Sequence, residues 1–408
     1  MKKMLLCLGS LWALLALAAW FLPARAVDDA ERRPLAQHPK TSLQTVLDGS
    51  FQSGFEDYAQ DQFPLRQTFR QLKAVFHTYV LNQKDNNGIY MADGFAVAQE
   101  YPLKEASLEH ALSRLEYLHK KYLQDSRVVM AVIPDKSYYL APESGQLSLD
   151  YDVLFEKCRL PWAENLDLTD TLTAEDFYRT DTHWRQERLF PAANAICQAL
   201  GVTGPDPADY TVEALARPFY GVYYGQAALP MEPDTMYLLR SDLLSRCTVY
   251  DYESGQLLPI YDERKLTAKD LYEVYLSGPR SLLTITNPGA ATDRELILFR
   301  DSFASAITPL LLTDYRTVTL VDIRYIQTDM LSRFLDFHGQ DVLILYSALV
   351  LNNSTTMKYR KNAGDWQLSV GGSVNRPQFF AFYSVRFRIH LPCLSIMVPK
   401  MHLQQLAS

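Results

Sequence analysis

The sequence predicts an α/β fold, with short buried strands alternating with helices around a layered sheet, carried behind an N-terminal apolar segment. The first observation is an apolar stripe at helical spacing, Leu108, Leu112, Leu115, Leu118 and Tyr122, which leads directly into a β-branched run from Val128 to Ile133. The second is the recurrence of short apolar runs at Leu296 to Phe299, Val318 to Val321 and Val342 to Leu345, separated by segments of helical length. The third is helical text from Trp184 to Leu200. Stripes of that spacing mark helices with one buried face, and short continuous apolar runs mark buried strands. Their alternation points to a layered α/β sheet.

The N-terminus comes first in order. Lys2 and Lys3 precede an uncharged apolar run from Met4 to Leu22, and Pro23 and Ala24-Arg25-Ala26 follow. A positive start, an apolar stretch and a small-x-small site are the parts of a signal peptide. The run also approaches the roughly 20 residues that span a bilayer, which favours an uncleaved anchor. Residues 1–26 are therefore read as one or the other. In both cases the lysines leave the body extracytoplasmic.

Residues 27–100 read as a lead-in. Phe51, Phe55 and Tyr58 recur at helical spacing, Pro64 separates that helix from one over Arg66 to Val80, and Asp93-Gly94 signals a hairpin turn. Residues 101–357 carry the α/β domain. From Tyr359 onward six Lys/Arg face one acid, Asp365. Residues 358–408 thus form a basic, aromatic tail, read as a C-terminal hairpin or loose end, with a patch for acidic polymer or lipid headgroups as the sharper alternative.

Composition sets limits. With 408 residues and 48% hydrophobic content, the chain can bury a large core. A net charge of −7 gives no electrostatic case for nucleic acid. Cys7 lies in the apolar segment; Cys158, Cys197, Cys247 and Cys393 show no CxxC spacing, so no metal site is expected, and any disulfide pairing stays open.

Two segments carry chemistry. Residues 295–305 read ELILFRDSFAS, an apolar strand running into Ser302 at the start of a helix. Free N–H groups there favour the negative charge that develops on an attacked carbonyl oxygen. Residues 176–187 read DFYRTDTHWRQE, with Asp181 and His183 two apart. A serine nucleophile needs a base, and the imidazole needs a carboxylate to fix its tautomer. Alone, each segment is also the text of an ordinary helix cap.

Together they resemble a known family. TDTHW at 180–184 is similar to the motif of the DHHW family, with Thr182 in place of its first His. That family resembles the alginate O-acetylation proteins and SGNH-type esterases in permuted order. RRPLAQHPK at 32–40, DGSFQSGFEDYAQDQFPLR at 48–66, FYGVYYGQ at 219–226, PDTMY at 233–237, DSFASAITPLLLTDYRTVTLVDIRY at 301–325 and DVLILYSALVLNN at 341–353 fit the same pattern. The resemblance spans about residues 30 to 357.

The resemblance implies an SGNH-hydrolase-like three-layer sandwich, with Ser302 as nucleophile, His183 as base and Asp181 as its orienting carboxylate. Arg300 stands where SGNH enzymes carry glycine, so the oxyanion donors are sought in the Ser302 N–H and in Asn352 or Asn353. Tyr223 and Tyr224, in an aromatic loop with Phe219 and Tyr220, are candidates for holding a sugar face. Arg179 and Arg324 are candidates for an anionic group on the substrate, and Asp135 either lines the cleft or, equally, caps the next turn. The implied activity is O-acyl transfer, with acetyl the expected group, onto an exported or cell-wall polysaccharide. A membrane-bound O-acyltransferase is the implied donor partner, and no cofactor is required. A polysaccharide acetyl esterase and a non-catalytic polysaccharide-binding scaffold are the alternatives.

Overall fold

The structure is a computed structural model that describes residues 2–28 and 30–357. In chain order its main helices begin with α1 (Lys2–Phe21), α2 (Ser50–Asp61) and α3 (Arg66–Val75), the last continuing into a π turn at Phe76–Val80. Strands β1 (Ile89–Ala92) and β2 (Phe95–Ala98) form a hairpin. Then come α4 (Glu105–Tyr122), β3 (Val128–Ile133), α5 (Lys136–Ser144), β4 (Glu164–Leu166), α6 (Phe190–Leu200) and α7 (Val222–Ala227). The last part supplies β5 (Thr248–Asp251), β6 (Gln256–Leu258), β7 (Leu282–Thr286), β8 (Arg294–Arg300), β9 (Tyr315–Val321), β10 (Asp341–Ser347) and α8 (Ala348–Asn352).

The result is a mixed α/β architecture with one eight-stranded sheet in the order β6-β5-β7-β9-β8-β10-β3-β4. The five strands from β9 to β4 are parallel, and β7, β5 and β6 extend the sheet antiparallel. Alternate residues of each parallel strand enter opposite cores. Val129, Ala131, Leu296, Leu298, Leu343 and Leu345 meet Ala193 and Ile196 of α6 on one face. Val128, Met130, Ile297, Phe299, Val342 and Ile344 meet Leu108, Ala111, Leu115 and Leu118 of α4 on the other. Each such Val, Leu, Ile, Phe or Met side chain contributes about 1.5–3 kcal/mol on burial, which pins the register. A slip of one residue would exchange the two cores.

Register also fixes where chemistry can happen. Phe299, Ile344 and Met130 lie side by side across β8, β10 and β3, so these strands end together. Asp301-Ser302, Ser347 and Asp135 therefore emerge at one edge. Open parallel sheets place their sites at this edge, where strands give way to loops.

Several sequence expectations need correcting in extent. The helix expected from Trp184 begins only at Phe190, because Pro191 has no N–H to give and fits only the first turn. The connection after β8 has just one short helix, Ala304–Ile307, before Pro309 and a 3-10 turn. Between β9 and β10 only a 3-10 turn at Thr328–Arg333 forms. The hairpin turn is as read: Asp93 and Gly94 take φ of 47° and 81°. α1, at 20 residues, is long and apolar enough to cross a bilayer. The basic tail and Cys393 lie outside the described residues; Cys158, Cys197 and Cys247 are buried free thiols.

One buried cation ties the lead-in hairpin to the sheet edge. Lys136, at the start of α5, donates to the carbonyls of Ala96 in β2, Tyr178 (2.9 Å) and Arg179 (3.3 Å). Burial pushes its ammonium down to about 7, against the opposing pull of Asp181, Asp234 and Asp135. An unfolded lysine keeps its proton up to its ordinary value of 10.5. Between about pH 7 and 10.5 the unfolded chain thus binds more protons at this residue, and stability rises with pH. Lys136→Met should cost about 1–3 kcal/mol for each carbonyl left unpaired. It should also remove that alkaline rise, read as the difference in urea midpoint between about pH 7 and about pH 10.

Candidate active site

Ser302 sits two residues past the pinned end of β8, and Asp301 between them holds the turn. One oxygen of Asp301 accepts the Phe303 N–H at 2.9 Å; the other accepts the N–H (2.8 Å) and hydroxyl (2.7 Å) of Ser347 at the end of β10. Asp301 is fully buried, so these bonds form in a low dielectric and hold the turn firmly. Ser302 itself stays half-exposed. Its N–H has no hydrogen-bond partner among the described residues.

The loop at 177–184 brings the other two groups to it. Phe177 pairs with Trp184, and the Tyr178 N–H bonds the His183 carbonyl at 3.0 Å. The Trp184 indole N–H then donates to the Phe303 carbonyl at 2.8 Å, fastening the loop beside the serine turn. His183 Nε2 lies 2.9 Å from Ser302 Oγ, and its Nδ1 lies 2.6 Å from Asp181 Oδ1. With Nδ1–H donating to the carboxylate, Nε2 is left to accept the serine proton. The ring stacks flat on Tyr272 at 3.8 Å and leans on Phe303 at 4.9 Å. Asp181 is 0% exposed and His183 7%.

Asp181 is the most heavily supported group. Oδ1 also accepts the His183 N–H, and Oδ2 accepts the Val222 N–H at 2.8 Å. The approach of Val222 depends on Gly221, where a Cβ would stand 2.3 Å from Asp181 Cβ. Arg32 reaches in from the lead-in. Its Nη1 lies 3.7 Å from Asp181 Oδ2 and 2.8 Å from Asp270 Oδ2, and its Nη2 donates to the Tyr220 carbonyl at 2.8 Å. Burial would raise the Asp181 carboxyl, but His183, Arg32 and the Val222 N–H outweigh it and hold the group well below the usual carboxylate range. Asp270 goes the other way: burial and the neighbouring Asp181 lift it, despite Arg32. Asp270 also caps the turn that carries Tyr272, accepting that residue's N–H.

Sequence reasoning missed Arg32, Asp270 and Tyr272. Arg32 lay within the quoted segment 32–40, but nothing in its spacing relates it to position 181. Three expectations are corrected. Asn352 is not an oxyanion donor, because its amide is used on both sides: Oδ1 accepts from Lys104 N, and Nδ2 donates to Glu100. α8 carries it past the sheet edge into that contact, and Asn353 is held there too. Arg324 is half-buried in a two-point pair with Asp322, at 2.9 and 2.6 Å, and is committed to its own turn. Tyr223 is no sugar platform, since it is buried and spends its hydroxyl on Thr182 Oγ1. Asp135 caps α5 and accepts the Tyr151 hydroxyl.

What stays available is different in detail. Tyr224 is half-buried against Tyr220, with rings 4.6 Å apart, and Tyr220 is 43% exposed. Arg179 is exposed, its guanidinium 5.9 Å over the Phe95 ring. Arg300 folds away from the surface, bonding Ser305 Oγ and the Asp301 carbonyl. Among the described residues no cluster of His, Cys, Asp or Glu has the makings of a metal site.

No family model and no curated protein matches the chain. Solved structures do. A DHHW family protein from Eubacterium siraeum DSM 15702 is 20% identical with a TM-score of 0.56, covering 68% of this chain and 98% of that one. PatB1 from Bacillus cereus is 18% identical with a TM-score of 0.51, covering 67% and 99%. The O-acetyltransferase domain of Pseudomonas putida AlgJ is 16% identical with a TM-score of 0.41, covering 67% and 94%. This chain is thus similar in fold to a DHHW family protein and to PatB1.

Proposed function

We propose that the chain is an extracytoplasmic O-acyltransferase, with acetyl as the group moved and an exported or cell-wall polysaccharide as acceptor. The observation that carries this is the hydrogen-bonded line from Ser302 through His183 to Asp181, buried except at the serine. The sheet with helices on both faces is read as an SGNH-hydrolase-like sandwich in permuted order. The likeness to PatB1, a protein also solved with a sulfonyl adduct, supports the reading, because sulfonyl groups are captured by nucleophilic side chains. α1 serves as signal or anchor, and a membrane-bound O-acyltransferase supplies the acyl group.

In the first half-reaction Ser302 Oγ attacks the acyl carbonyl as His183 Nε2 takes its proton. The tetrahedral oxyanion forms beside the turn, where the unpartnered Ser302 N–H can donate to it. His183 then protonates the departing oxygen, leaving an acyl group on Ser302. In the second half His183 draws the proton from a sugar hydroxyl, which attacks the acyl-serine, and returns that proton to Ser302 Oγ as the acyl–oxygen bond breaks, which frees the enzyme. Asp181 stays ionised throughout, held so by Arg32 and the Val222 N–H, and stabilises the imidazolium at each step. Ser302→Ala should lower release of acetate from a small acetyl ester by about 10³-fold or more with the fold intact, and His183→Ala should do the same. The two losses should not add. Unchanged turnover in Ser302→Ala would leave a binding scaffold.

Transfer and hydrolysis share the acyl-serine and differ in what attacks it. Water competes at about 55 M, so a transferase must position its acceptor, for which effective molarities of about 10⁵ M or more are attainable. Tyr220 and Tyr224 form the half-exposed aromatic surface on the loop that also holds Asp181, and Arg179 flanks the triad loop. With polysaccharide fragments present, acetyl should divert from water to sugar, read as acetylated oligosaccharide over free acetate by mass spectrometry. Tyr220→Ala with Tyr224→Ala should lower that ratio more than it lowers simple ester hydrolysis. A ratio of zero with brisk deacetylation of acetylated glycan would make the chain an esterase.

A further inference from the structure

We infer that the outward face of α3 and its π turn lies against lipid, so that the body is seated in the outer membrane surface and not merely tethered above it. The inference rests on the reading of α1 as a membrane segment.

The face is built the wrong way round for water. Leu65, Phe69, Leu72, Phe76, Tyr79 and Val80 recur at spacings of three and four, which makes one stripe on a helix. Each is between 45% and 64% exposed. The other exposed residues from 65 to 80 are Thr68 and Gln71, so the stripe carries no charge. The charges of this helix point inward instead. Arg66 pairs with Asp28 at 3.2 Å and Glu31 at 2.7 Å, and Arg70 pairs with Glu31 at 2.7 Å and reaches the Gly225 carbonyl at 2.9 Å. A surface helix of a soluble domain shows the opposite arrangement. An uncharged apolar face of this extent marks a surface that is covered by something.

Lipid is the occupant that the neighbouring contacts favour. Phe69 packs on Phe63 at 5.8 Å, and Phe63 packs on Trp12 of α1 at 5.8 Å. The Arg25 N–H and carbonyl each bond the Gln62 amide at 2.8 Å, so the end of α1 is strapped to the start of this region. At about 1.5 Å of rise per residue, Trp12 lies roughly 14 Å down the helix from Phe21. Phe63 therefore sits beside the apolar segment and not beyond its end, and the stripe continues the same apolar surface. A protein interface would bring a polar rim with about one hydrogen bond per 100–200 Å². This stripe offers only Thr68, Gln71 and the Tyr79 hydroxyl for that purpose.

Depth can be read with the full chain in phosphatidylcholine vesicles, with and without brominated acyl chains that quench a nitrobenzoxadiazole label. Cys393→Ser leaves the native Cys7 in α1 as the exposed thiol for one label. Adding Cys7→Ser allows labels at Leu72→Cys, at Tyr79→Cys and, as a remote control, at Leu257→Cys on the edge strand β6, where the native side chain is 69% exposed. Brominated lipid should remove half or more of the emission at Cys7, Leu72→Cys and Tyr79→Cys and leave Leu257→Cys unchanged. Quenching at Cys7 without quenching at 72 and 79 overturns the inference and leaves the anchor standing. Quenching at 72 and 79 without Cys7 supports the lipid face and sinks the anchor. No quenching at any of the three overturns both. Protection of 72 and 79 from aqueous maleimide in native membranes, with no quenching by lipid, assigns the face to a protein and overturns the inference.

Discussion

Everything at the candidate site depends on keeping one carboxylate, Asp181, ionised in a place water does not reach. A buried charge is tolerated only when its partners replace its lost hydration. Here the His183 ring, the His183 and Val222 N–H groups and the Arg32 guanidinium do so. Each of these makes a demand elsewhere. Val222 can approach only because position 221 has no side chain. Arg32 can approach only because the lead-in folds back over the domain, which it does at a positive φ of 53°. Arg32 brings a second carboxylate, Asp270, and Asp270 caps the turn whose Tyr272 forms the floor under His183. The imidazole is thus aligned along its edge by Asp181 and across its face by Tyr272, with Arg32 touching the first directly and the second only through Asp270.

The serine side is fixed by a separate device. Asp301 spends both oxygens on the turn and on the neighbouring strand, so the position of Ser302 follows from the pairing of β8 with β10. The two halves of the site meet through Trp184, whose indole bonds the Phe303 carbonyl. A loop and a strand end, 119 residues apart in sequence, are then held within a hydrogen bond of each other. A shift of 1 Å between them would be costly, since proton transfer needs heavy atoms about 2.6–3.2 Å apart.

What was legible in the sequence follows from range. The meeting of Ser302, His183 and Asp181 was legible because strand, turn and Asp-x-His are local text, and the resemblance paired them. The parallel strands were legible because burial on both faces writes a continuous apolar run. The Asp93-Gly94 hairpin was legible because its turn needs residues that accept positive φ. The helix read from Trp184 was overextended, because Pro191 fits only the first turn and sets the start at Phe190. Arg32 was hidden for a different reason: its partners are 149 and 238 residues away in the chain, and no local pattern encodes that. Asn352, Arg324 and Tyr223 were misread in the same sense. Their residue types suit catalysis or binding, but which bonds they make is decided by neighbours such as Lys104, Asp322 and Thr182.

The lead-in joins the candidate site to the outward face of α3. Glu31 collects Arg33, Arg66 and Arg70, and the next residue, Arg32, runs the other way into the triad. The charged face of α3 is therefore spent on holding the turn that delivers Arg32, and its apolar face is left outward as a consequence. A soluble enzyme would gain by turning that helix over, but doing so would withdraw Arg66 and Arg70 from Glu31 and loosen the segment behind Asp181. The inversion costs nothing where the outward face meets lipid. On the proposed function, a donor that delivers acyl groups through the membrane would then meet Ser302 on a body held at fixed height and orientation, with no swing on a flexible tether to lower the rate of productive encounter.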